Sequence, residues 1–176
     1  MQKFGLIPYR ASGLPGIDIT GEIDRVENIL SLHYAVRGEV ENMLLPVIAA
    51  PSRKDDLWKA TCFEFFVAIQ DQPRYWEFNM SPSGEWNVYI MDTYRRINFR
   101  EESAISLVPF DFKKDNSGYS LNVSADLSPI INPGQNIQIG ITAIIQTKDR
   151  NETYWALAHP GIQADFHLRE GFIIEV

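Results

Sequence analysis

Thr61-Cys62-Phe63-Glu64-Phe65-Phe66-Val67-Ala68-Ile69-Gln70 and Tyr75-Trp76-Glu77-Phe78-Asn79-Met80-Ser81, joined by Asp71-Gln72-Pro73-Arg74, decide the fold. Side chains alternate faces along a strand, so Phe63, Phe65, Val67 and Ile69 point one way and Cys62, Glu64, Phe66 and Ala68 the other. In the second run Trp76, Phe78 and Met80 share a face and leave Tyr75, Glu77, Asn79 and Ser81 opposite. The short connection predicts an antiparallel hairpin. Paired without a bulge, it sets Glu64 against Asn79 and Phe66 against Glu77, at about 4.5–5.5 Å between Cβ atoms. One face is then dry, and the other carries two carboxyls and an amide among aromatic rings. Polar groups in mid-sheet are costly unless they meet water, a ligand or each other. That face is either the solvated outside of a sheet or the floor of a binding site, and its aromatic company speaks for the second.

Outward from this hairpin the same habit recurs: short runs of β-formers closed by turn residues. Strands are expected at 17–23, 29–37, 61–70, 75–81, 85–92, 104–113, 119–127, 137–147, 153–158 and 172–176. At 29–37, Leu30, Leu32, Tyr34 and Val36 fall on one face and Ser31, His33 and Arg37 on the other. Asp115-Asn116-Ser117-Gly118 and Lys148-Asp149-Arg150-Asn151 supply hairpin turns. No helical periodicity of useful length occurs; 125–131 reads as a short turn ended by Asn132-Pro133-Gly134. The fold class is therefore all-β: one domain over 1–176, a two-sheet antiparallel β-sandwich of immunoglobulin-like or jelly-roll-like kind.

Composition narrows the partners. The 176 residues are 45% hydrophobic and carry a formal net charge of −7. That content is enough for a core, and the charge repels nucleic acid where no basic patch overrides it. No apolar run approaches the roughly 18 residues of a membrane span, and the first ten residues lack the apolar run of a secretion signal. A single cysteine, Cys62, excludes an internal disulfide and a cysteine-based zinc framework. A cytoplasmic location is the expectation; oligomeric state is not set by these features.

Carboxyl and amide groups beside flat rings suit polyhydroxylated ligands, whose C–H faces stack on Trp or Tyr while hydroxyls take oxygen or amide partners. The expected ligand is thus a saccharide or a sugar-bearing metabolite. Glu64, Glu77 and Asn79 would bind hydroxyls, and Trp58, Trp86 and Trp155, all near strand ends or turns, would stack. Arg95 and His159 would add charge or orientation at the rim.

Leu57-Trp58, Thr61-Cys62-Phe63-Glu64, Glu77-Phe78-Asn79-x-Ser81-Pro82-Ser83-Gly84-x-Trp86 and Tyr94-Arg95 together resemble the DOMON-like family, which is related in fold to the family-9 carbohydrate-binding modules. Tyr154-Trp155-Ala156-Leu157-Ala158-His159-Pro160 and Asp165-Phe166-His167 match that family's closing motif, so the resemblance runs from about Ile17 to the last residue. It implies a two-sheet sandwich that binds sugars or haem. In the sugar-binding relatives two exposed tryptophans clamp a terminal sugar, and Trp58 and Trp155 stand at plausible positions for this. In the haem-binding relatives a Met and a His or Lys are axial ligands. Of Met43, Met80 and Met91, parity puts Met80 on the dry face as core filler, so no cofactor is assigned.

Other chemistries have weaker patterns. His159 with Asp165-x-His167 could hold a metal, but turn and capping roles explain them as well, and none is assigned. Ser81 or Ser83, His159 and Asp165 make a Ser/His/Asp set without a Gly-x-Ser-x-Gly elbow, and Ser-Pro-Ser-Gly is turn chemistry. Glu64 and Glu77 could form a glycosidase pair, but sheet residues offset by one pair lie nearer than an inverting enzyme requires. A binding module is expected rather than an enzyme, with a haem-binding DOMON domain, as the resemblance allows, or a non-enzymatic protein-interaction domain as the alternatives.

Overall fold

A computed structural model describes residues 1–10, 16–94 and 99–176. Twelve strands follow one another: β1 (Gln2–Pro8), β2 (Ile17–Val26), β3 (Ile29–Gly38), β4 (Cys62–Ile69), β5 (Tyr75–Met80), β6 (Trp86–Met91), β7 (Arg100–Glu101), β8 (Phe110–Asp115), β9 (Gly118–Asp126), β10 (Ile137–Gln146), β11 (Glu152–Ala156) and β12 (Ile174–Glu175). Helical conformation among the described residues is confined to three single 3₁₀ turns, at Val40–Asn42, Leu57–Lys59 and Arg169–Gly171. The chain is an all-β sandwich.

Its front sheet has the order β8-β9-β3-β2-β1 and its back sheet β7-β6-β5-β4-β10-β11, with β12 beside β10 as well; every pairing is antiparallel. β1 belongs to both. Gln2 to Leu6 pair with β2, and then Ile7 and Pro8 pair with β11, so the strand passes from one sheet to the other.

The core lies between the sheets and is built by strict alternation. Leu30, Leu32, Tyr34 and Val36 of β3 face Phe63, Phe65 and Val67 of β4, with Trp76, Phe78 and Met80 of β5 beside them, all buried. Phe65 and Phe78, paired across β4 and β5, stack with ring centroids 4.4 Å apart. The hairpin register is as its alternation requires: Glu64 opposes Asn79 and Phe66 opposes Glu77.

Two elements depart from expectation. β1 is additional, with Phe4 and Leu6 as its inward residues. The strand expected from 104 begins only at Phe110, because Ile105 and Val108 are both buried in the core. A spacing of three cannot put two residues on one face of a strand, so the chain plugs the core edge irregularly before pairing.

The outer face of the back sheet is also covered. The segment after β11 folds back over it, and Phe172 packs with Phe66, Ala68, Tyr75, Tyr89 and Met91 in a second, smaller apolar cluster. Gly140 makes the seat: a Cβ there would lie 2.7 Å from the Phe172 ring.

Candidate functional site

The outward residues of the back sheet line up in transverse rows. One row is Thr142, Glu64, Asn79 and Asn87 on β10, β4, β5 and β6; the next is Gly140, Phe66, Glu77 and Tyr89. The apolar end of this face is filled by Phe172. The polar end opens into a pocket of about 460 Å³ whose floor is Glu64, Phe66, Glu77, Met91 and Ile144. On one side stand Trp58, Tyr89 and Phe99, edge to face at 5.4–6.3 Å between ring centroids. On the other stand Tyr154 and Phe166, 6.1 Å apart, with His167. A second cleft of about 450 Å³ shares Tyr154 and Ala164 with the first and continues past Tyr9, Arg10 and Gln163.

The electrostatics of the floor follow from burial. Glu64 is 2% exposed; its Oε2 accepts from the Thr142 hydroxyl at 3.1 Å, and its Oε1 has no hydrogen-bond partner. Asn79 donates its Nδ2 to Glu77 Oε1 at 2.8 Å, which leaves its own Oδ1 without a partner. Burial pushes the Glu64 carboxyl well above the usual range, and the neighbouring Glu77 pushes it further. Burial likewise raises Glu77, to about 7, against the Asn79 hydrogen bond that lowers it. Above Glu77 lies His167, whose Nδ1 shares a 2.9 Å hydrogen bond with the Tyr75 phenol and whose Nε2 is 3.9 Å from Glu77 Oε2.

A polar network braces the Trp58 side. Asn87 donates to Glu101 Oε1 at 2.8 Å and to the Tyr89 phenol at 3.0 Å, and that phenol donates to Asp55 Oδ1 at 2.7 Å. Arg53 closes the network by donating to Asn87 Oδ1 at 2.7 Å.

Of the residues expected from sequence, Trp58, Glu64 and Glu77 line this pocket, and Asn79 is buried in the floor row between the two acids. Trp86 and Trp155 do not. Trp86 is paired with Met80 and Trp155 with Ala143, and paired residues share a face, so both rings enter the dry core instead of offering stacking surface. Arg53 covers the Trp86 ring at 4.4 Å, and Trp155 Nε1 donates to Thr153 Oγ1 at 2.9 Å. His159 sits behind Phe166 with its Nε2 2.9 Å from the Ile7 carbonyl, outside the pocket lining. Arg95 lies outside the described residues.

Tyr89 and Phe99 are pocket residues that sequence reasoning did not single out, Tyr154 and Phe166 entered it only within the closing motif, and Met91 and His167 only as haem or metal ligands. The alternation through 86–92 could have yielded Tyr89 and Met91, because it continues the polar-aromatic face by one strand. Ser81 and Ser83 are bonded to each other at 2.8 Å, and Ser83 donates to Glu85, within their own turn. Among the described residues no group of three metal-type ligands converges. A haem does not fit this donor set. Met80 is in the core, and although Met91 and His167 both line the pocket, both ring nitrogens of His167 face protein groups, Tyr75 and Glu77.

No family model matches the chain, and no curated protein is similar to it. Solved structures do resemble it. A candidate carbohydrate-binding protein from Bacteroides uniformis superposes with a TM-score of 0.74, over 98% of this chain and 84% of that one, at 15% identity. A family-9 carbohydrate-binding module from Caldicellulosiruptor kristjanssonii, in complex with glucose, gives a TM-score of 0.50 over 82% and 69% of the two chains, at 13% identity. At these identities the likeness is one of fold.

Proposed function

We propose that this chain is a non-catalytic binding domain for a saccharide, or a metabolite carrying one, held in the pocket on the outer face of the back sheet. The observation that carries this is the pairing of aromatic walls with an unsatisfied polar floor: rings at Trp58, Phe99 and Phe166 stand over Glu64 Oε1, buried and lacking a partner. A native protein rarely leaves a buried carboxyl oxygen unpaired, and a ligand hydroxyl is one donor that would complete it. The rings offer flat apolar surface to the C–H face of a sugar. The pocket is of usual ligand size, within roughly 300–1,000 Å³, and the adjoining cleft leaves room for a second unit.

Two further facts support the proposal. The fold is shared with structures described as carbohydrate-binding, one of them holding glucose, and the residues resembling the DOMON-like family include Trp58, Glu64, Glu77 and Asn79 of the site. The most exposed of the described large hydrophobic side chains, Val47, Ile48 and Ile162, belong to two loops, whereas the aromatic surface is gathered in a concavity. That distribution favours a small ligand over a protein partner.

A thermal-shift screen over mono- and oligosaccharides tests the proposal. A ligand at about 100 times its Kd adds close to 2.7 kcal/mol of stability, and Trp58→Ala should cut that shift to about half or less. If no saccharide raises the melting temperature at millimolar concentration, the proposal fails.

A further inference from the structure

We propose that the ligand presents a protonated amine to the floor of the pocket, so that the site selects an amino sugar with a free amine over neutral or N-acylated sugars. This rests on the saccharide reading above and specifies which group of the ligand is buried.

The floor has buried acceptors to spare. Glu64 Oε1 and Asn79 Oδ1 are the unpartnered buried oxygens of the described side chains. Asn79 cannot turn its amide to help, because its Nδ2 is spent on Glu77. A hydroxyl brings one donor; an ammonium brings three donors and a charge. Glu64 has no ion pair among the described residues, and the basic side chain among the described lining residues, His167, lies toward Glu77. Two carboxyls therefore reach one cavity from adjacent strands, with no lysine or arginine among the described lining residues. The rings of Trp58, Tyr89 and Phe99 above them present faces to which a cation is attracted. Glu64, Glu77, Asn79 and Tyr89 stand on a hydrogen-bonded sheet, so this part of the geometry is built before the ligand arrives.

Charge bookkeeping gives a second signature. The titratable groups facing Glu64 are Glu77 on β5, Cys62 on its own strand and Tyr34 from the opposite sheet; Glu77 is faced by His167 and Tyr89. Without a ligand, burial and the neighbouring Glu77 push the Glu64 carboxyl up, toward its protonated form. An ammonium beside it favours the ionised form, so binding expels a proton, whereas a neutral sugar leaves the proton in place.

Titration calorimetry on the full chain at pH 7 tests this with sets differing only at nitrogen: glucosamine, N-acetylglucosamine and glucose, and the chitosan and chitin disaccharides. The free amines should bind at least about tenfold more tightly, the contribution of one charge-assisted hydrogen bond. Their enthalpies in two buffers of different protonation enthalpy should show net proton release on binding, which the neutral sugars should not show. Glu64→Gln should shrink the preference for the amine to within about threefold, and the proton count supplies a readout that needs no variant. If the neutral sugars bind as tightly as the amines, or no proton is released, the inference is overturned while saccharide binding stands. If none of the sugars binds, saccharide binding itself is overturned, and this inference with it.

Discussion

The phenol of Tyr34, on the inward face of β3, donates a 2.6 Å hydrogen bond to the backbone carbonyl of Glu64 on the opposite sheet. The two sheets are thus tied at the strand position that carries the deepest carboxyl of the pocket. The Tyr34 ring is packed edge to face against Phe4 and Phe63, and burial pushes its phenol pKa well above the ordinary value, so it acts as a donor throughout the working pH range.

Tyr34→Phe keeps that ring packing and removes the bond. It should lower the unfolding free energy by about 1–3 kcal/mol, the range for a lost hydrogen bond whose buried acceptor is left behind. Urea denaturation measures this, and a change indistinguishable from zero would mean that the bond contributes nothing.

The tryptophans divide into two kinds. Trp155→Ala empties core volume and should cost on the order of 3–5 kcal/mol, with saccharide affinity retained in whatever fraction stays folded. Trp58, half-buried at the pocket wall, should behave in the opposite way. Trp58→Ala should change the denaturation midpoint little and reduce affinity about tenfold or more, as the loss of a stacking aromatic implies. Equal effects of the two substitutions on stability would contradict their placement.

Glu77 sets a pH dependence. Its carboxyl holds a proton to about pH 7 in the folded chain, against an ordinary value of 4.5. The folded state then binds more protons than the unfolded one between those values. The stabilisation is full below about pH 4.5 and is lost as pH rises through 7. The loss amounts to on the order of 3 kcal/mol at 1.36 kcal/mol per unit. Glu64 acts in the same direction. Asp115 and Asp126, held low by hydrogen bonds to Ser117 and Ser128, act oppositely and only in stronger acid. Glu77→Gln should flatten the fall in melting temperature between pH 5 and 8; an unchanged profile would show that Glu77 titrates normally.

Gly140 carries the roof. The Cβ of Gly140→Ala would stand 2.7 Å from Phe172 Cδ1 and 3.0 Å from Cε1, so the ring must move. A loss of about 1–3 kcal/mol is expected from overpacking, with faster amide exchange in residues 157–173. Gly5, with nothing within 4 Å of an added Cβ, is the control: Gly5→Ala should be neutral or mildly stabilising. Comparable destabilisation by both would remove the seat from the explanation.

The hairpin was legible because it alternates without interruption and its connection is short, and parity then leaves one register that keeps Phe63, Phe65 and Val67 dry. The floor acids followed from the same parity. Of the walls only Trp58 did; Phe99, Tyr154 and Phe166 are brought opposite or beside it by the strand order β6-β5-β4-β10-β11, which no local pattern encodes. Trp86 and Trp155 were misplaced for a related reason: nearness to a turn suggests a loop, but the residue across the strand pair decides which face a ring takes. β1 offers only Phe4 and Leu6 inward, too few to stand out as a pattern.

The passage of β1 from one sheet to the other also bears on self-association. Two separate sheets would present four lateral edges, each a template on which another chain could add a strand. Joined through β1, the described strands form one path with two ends, and only the two-residue β12, beside β10, lies off it. One end is β7, only two residues long, and the other is β8, whose Asp111, Lys113, Lys114 and Asp115 place charges of both signs along the exposed border. A molecule with so little unpaired, uncharged border should resist edge-to-edge aggregation even when its pocket is empty.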